Sequence, residues 1–146
     1  MDEEGRVGIL MCAGCAFVCL FLFVSIALTE VALQDRRLVS CADALASSGV
    51  GSASSDDFFE AGDPMGVDEA SALWRVEEAR SALSDSTCRV GEGVVVTEVS
   101  VRGVEVEVAV RARPTVSLVP PFLRASAVPE LERTSSARLR DAQPRG

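Results

Sequence analysis

From Val7 to Leu28 the chain reads VGILMCAGCAFVCLFLFVSIAL, with no charged residue and with Ser25 as its one polar side chain before Thr29. At roughly 1.5 Å per residue a helix over this run reaches about 33 Å, enough to cross a bilayer core of about 30 Å. The run begins close to the first residue, so the rest of the chain has to fold behind it. The expectation is a single-pass anchor carrying one small domain.

Composition narrows what that domain can do. Of 146 residues, little more than about 110 remain once the anchor is set aside, enough for one small core. The net charge of −8 argues against a nucleic-acid partner, because phosphate binding needs clustered cations. Every basic residue is arginine, and histidine and tyrosine are absent. Ser–His and Cys–His nucleophile pairs and His-ligated metals are therefore ruled out. The reading is non-enzymatic, with no cofactor and no metal.

The leader, residues 1–6, is MDEEGR. A secretory signal wants a basic start and a shorter apolar run, so an uncleaved or only N-terminally trimmed anchor is expected. Arg6 before the span competes with Arg36 and Arg37 after it. Read literally, the positive-inside rule puts the C-terminal domain in the cytoplasm, by a nearly balanced count. At 100° per residue Gly8, Cys12, Cys15, Ala16 and Cys19 share one face, and Phe17, Phe21, Val24 and Leu28 the opposite one. Small residues let another helix approach closely, whereas the bulky face suits lipid. Cys12-Ala13-Gly14-Cys15 also has redox CxxC spacing, but such thiolates work in exposed polar surroundings, so cysteine as a small apolar residue is the preferred reading. Cys41 and Cys88 lie outside the span; one disulfide and two free thiols are both open.

No helix breaker follows the anchor. Leu38, Cys41, Ala42 and Leu45 recur at helical spacing, so one helix from about Val7 to Ala46 is expected, transmembrane over 7–28 and amphipathic over 29–48, with Gly49 as its stop. Residues 49–66 read as a flexible loop, pinned by Phe58 and Phe59, whose acidic cluster lacks calcium-loop spacing. A small head spans 67–122. Its helix, Val67–Ser84, has the stripe Ala72, Leu73, Val76, Ala79 and Leu83, with Trp74 expected in packing. Its hairpin pairs Val94–Val101 with Val104–Ala112, the valine face lying on the amphipathic helix, and Thr115–Val119 is a candidate third strand. In the tail, 123–146, a short helix is expected over Pro129–Leu139, with disorder in the last seven residues. The fold class is α+β: a long N-terminal helix with a small head of one helix and an antiparallel hairpin or three-stranded sheet.

This layout, with Glu4-Gly5 before the apolar run, Leu38–Ala46 (LVSCADALA) after it, Cys88-Arg89-Val90 and the valine hairpin, resembles the TadE-like group of the tight-adherence (Flp) pilus machinery, in its short actinobacterial secretion-neighbourhood form. The resemblance covers most of residues 4–119. Family members often carry a first ectodomain cysteine before the second helix; Met65–Ala72 has none, so any bridge here uses Cys41. Pilins are cleaved after glycine and carry glutamate at the fifth mature position; counted from Gly5 that position is Leu10, and from Gly8 it is Ala13, so Gly5 is a candidate processing site only. The resemblance implies a cell-membrane pseudopilin-like component of a Tad/Flp-type pilus or secretion apparatus. Its head would be extracytoplasmic, its partners membrane lipid and other pilin-like helices or secretion-apparatus proteins. The competing readings are a single-pass anchored binding domain and a membrane thiol enzyme using Cys12 and Cys15.

Overall fold

The computed structural model describes residues 3–51, 67–117, 119 and 128–138. Its elements are α1 (Glu3–Val50), α2 (Glu69–Leu83), β1 (Val94–Arg102), β2 (Glu105–Ala112) and β3 (Leu131–Arg138). The strands form one antiparallel sheet in the order β1-β2-β3. The fold is α+β, with a long apolar N-terminal helix, a short second helix and three strands.

Helix α1 is 48 residues long, about 72 Å at helical rise. It passes through Gly49 instead of stopping there. The glycine is needed for closeness: a Cβ on Gly49 would lie 2.9 Å from Val106 Cγ1 and 3.2 Å from Val76 Cγ2. Leu38, Cys41, Ala42 and Leu45 are fully buried, together with Ala46. They meet Val106, Val108 and Val110 of β2, also fully buried, and Ala72 and Val76 of α2. The two periodicities, helical on α1 and alternating on β2, thus bring two apolar faces together.

Helix α2 starts at an N-cap, Asp68, whose carboxylate accepts from the Ser71 backbone N–H at 2.9 Å and from the Ser71 hydroxyl. These bonds hold the Asp68 carboxyl below its ordinary pKa, the backbone bond contributing most. Trp74 corrects the expectation of packing: it is 62% exposed, with the Arg75 guanidinium 5.9 Å from its ring centre. It stands two residues from both buried positions, Ala72 and Val76, and so points to the opposite side of the helix.

The hairpin turns at Gly103-Val104, with Arg102 paired to Glu105. Gly103 has φ +63°, the conformation that tight hairpin turns demand at their first loop residue. In β1 the register shifts between Val96 and Glu98, leaving Thr97 as the extra residue. That bulge explains why the core-packed valines change parity from Val94 and Val96 to Val99 and Val101.

The described residues of the expected third strand Thr115–Val119 form no strand, and within the expected helix Pro129–Leu139 residues 131–138 are a strand. Residues 131–138 pair with β2 instead, setting Glu105 opposite Arg138 and Arg111 opposite Glu132. Arg138 and then Ser136 hold the Glu105 carboxyl below its ordinary pKa. The alternate residues reach α1: Arg133 pairs with Asp35 at 2.8 Å, and the Ser135 hydroxyl donates to Asp43. The expectations for residues 52–66, including Phe58 and Phe59, and for the last seven residues lie outside the described residues.

Candidate functional site

Helix α1 divides into two surfaces. Every described side chain from Gly5 to Val24 is exposed, including Gly8, Cys12, Cys15, Ala16 and Cys19 on one face and Phe17 and Phe21 on the other. No neighbouring atom lies within 4 Å of where a Cβ would stand on Gly8 or Gly14. This part of the helix is long and apolar enough to cross a membrane. The two hydroxyls that follow it are satisfied within the helix: Ser25 donates to the Phe21 carbonyl at 2.9 Å and Thr29 to the Ser25 carbonyl at 2.8 Å. Such self-satisfaction is what hydrocarbon requires, since water is not there to accept these bonds. Gly5, the candidate processing site, lies exposed within the N-terminal part of α1.

From Glu30 onward the helix carries the head. Glu30 accepts from the Ser117 backbone N–H at 3.0 Å. Gln34 clasps Thr115 at both ends: its amide donates to the Thr115 carbonyl at 2.5 Å, and its carbonyl accepts from the Thr115 N–H at 2.9 Å. The segment after β2 therefore runs along α1 and not beside the sheet. Higher up, Cys41 and Cys88 are joined by a disulfide with Cα atoms 4.9 Å apart, tying the helix to the loop between α2 and β1. That loop turns at Gly91 (φ +51°), where a Cβ would fall 1.9 Å from the Arg113 carbonyl oxygen. Sequence periodicity did not single out the polar anchors Glu30, Gln34, Asp35 and Asp43.

The small face and the lower rim of the head lie on one side of the helix. Cys12, Cys15, Ala16 and Cys19 each stand about five whole turns before Glu30, Leu33, Gln34 and Arg37 respectively. The head carries several surface grooves. Among the described residues no three metal-ligating side chains come together. Its concavities are open, the outer sheet face being lined by Glu98, Ser100, Arg102, Glu107, Glu132 and Thr134. In comparison with known proteins, no family model, curated protein or solved structure matches this chain.

Proposed function

We propose that the chain is a membrane-anchored, pseudopilin-like structural component of a Tad/Flp-type pilus or secretion apparatus, without enzymatic activity. The observation that carries this reading is the division of α1. One uninterrupted helix has a bare apolar half and a half sheathed by the head. A simple anchor needs no shared rigid rod; an assembly subunit gains one, because packing its lipid-embedded half then orients its head. Within lipid no hydrophobic force draws helices together, so close approach over Gly8, Cys12, Cys15, Ala16 and Cys19 has to supply the attraction. The Cys41–Cys88 bridge supports a head on the oxidising, extracytoplasmic side of the cell membrane.

Cys12→Leu with Cys15→Leu fills the small face while keeping it apolar. Co-purification with pilin-like partner helices falls severalfold in this variant, and unchanged recovery refutes the packing role. The exposed Trp74 favours a second reading, an anchored extracytoplasmic binding domain. That reading predicts that Trp74→Ala abolishes partner capture while the double leucine variant retains it.

A further inference from the structure

At the foot of the head an open groove of roughly 430 Å³ is lined by Glu30, Leu33, Gln34 and Arg37 of α1, with Arg89 and Thr115 opposite. The sheet and its flanks pair their arginines with carboxylates: Arg102, Arg111, Arg113, Arg133 and Arg138 all have such partners. Arg37 and Arg89 are exposed, and among the described residues neither guanidinium has a carboxylate partner. In a chain of net charge −8, two free guanidiniums in one groove are an unusual concentration. Against these two cations the groove has one carboxylate, Glu30, which accepts from the Ser117 N–H, and its formal charge is therefore one unit positive.

The depth of the groove matters as much as its charge. Arg37 lies about 13 Å along the helix beyond Leu28, and helical side chains lean back toward the N-terminus by about one turn. Its guanidinium therefore reaches about 8 Å beyond the hydrocarbon edge, close to the depth of the headgroup layer. Leu33 stands one turn nearer the membrane on the same helix face and is 55% exposed. From the membrane outward α1 presents the Glu30 carboxylate, held by the Ser117 N–H, then the apolar Leu33, the clasped carboxamide of Gln34 and the Arg37 guanidinium, with Arg89 opposite. Over Leu33 to Arg37 the order follows the acyl–glycerol–phosphate order of a lipid.

We infer that this groove binds the phosphate of an anionic phospholipid, with Arg37 and Arg89 as its donors and Leu33 against the upper acyl chain. Guanidinium and phosphate pair well because two parallel N–H donors meet two oxygens. The bound lipid would seat the head on the bilayer surface and fix the height of the helix in the membrane. It would also give Arg37 a role that does not depend on which side of the membrane is cytoplasmic. The inference rests on the membrane-anchored reading above.

The test uses the full chain, first in membranes and then in detergent. Alkaline extraction of membranes establishes anchoring: release of the chain into the supernatant sinks both the anchored reading and this inference. For the retained chain, native mass spectrometry compares phosphatidylglycerol with phosphatidylcholine. The wild type is expected to hold one phosphatidylglycerol in preference, and Arg37→Gln with Arg89→Gln to lose that preference by roughly tenfold. Arg75→Gln, outside the groove, leaves it unchanged, and thiol counting shows that the bridge survives in every variant. Equal retention of the two lipids by the wild type, or undiminished preference in the double variant, overturns the inference and leaves the anchor standing. Displacement of the lipid by millimolar inorganic phosphate would assign the groove to free phosphate and also overturn it.

Discussion

Gly91, Gly103 and Gly49 meet different surroundings, and alanine substitution separates them. At Gly91 a Cβ collides with the Arg113 backbone and the φ is positive, so Gly91→Ala is expected to cost about 3 kcal/mol or more. At Gly103 the φ is positive but the space is open, so only the left-handed penalty of about 1–2 kcal/mol applies. At Gly49 the φ is ordinary but Val106 and Val76 crowd the site, and overpacking near the end of α1 costs about 1 kcal/mol. Denaturant midpoints followed by circular dichroism give the order Gly91 above Gly103 and Gly49; an innocuous Gly91→Ala contradicts the packing described for that turn. Leu45→Ala, in the centre of the core, is expected to cost about 2–5 kcal/mol by the same measurement. The core residues were legible because period alone aligns Leu38, Cys41, Ala42 and Leu45. The exposure of Trp74 follows from its offset of two from Ala72 and Val76, a signal that the expectation of packing passed over. The average burial of tryptophan suggested the opposite, and local phase overrode it.

At the scale of elements, helices and hairpin followed from pattern, whereas β3 did not. Its inner positions, Leu131, Arg133, Ser135 and Ala137, are too mixed to show an apolar alternation, because two of them face carboxylates on α1 and not a core. A strand that owes its place to cross-strand charge pairs and to a helix far away in sequence carries no local signature. The same holds for Thr115–Ser117, drawn onto α1 by Gln34 and Glu30. The disulfide closes a separation of 47 residues, worth about 4 kcal/mol in the chain-entropy model, so reduction should lower head stability by about 2–4 kcal/mol. Unfolding curves that coincide with and without reductant would contradict that placement. The carboxylates of Asp68, Glu77 and Glu105 are all held below their ordinary values, Asp68 by Ser71, Glu77 by Arg80 and Glu105 by Arg138. Lowered folded-state values mean that their stabilisation is complete above the ordinary carboxylate range, about pH 4, and is lost as pH falls through and below it. Melting temperatures taken from pH 7 down to pH 3 should drop over that interval, and less so in Asp68→Asn with Glu105→Gln. Identical slopes in variant and wild type would remove these groups from the account.

For the whole molecule, α1 is a single rod about 72 Å long whose lower half is bare and whose upper half forms one wall of the head core. An apolar helix long enough to cross a membrane was evident from composition and length, and so was its amphipathic continuation. The match of the small face to the groove below the head was not, since it depends on where the head sits on the helix. The central claim is that the bare half lies in the membrane and holds a bridged head on its oxidising side. It is tested most directly by thiol counting in intact cells whose outer face is open to protease. Alkylation after denaturation, before and after reduction, is read by intact mass on one aliquot, and protease access to the head on a second. The account predicts a head cut from outside, three of the five cysteines alkylated before reduction, Cys12, Cys15 and Cys19, and all five after it. A head protected from outside with all five thiols already free would contradict it.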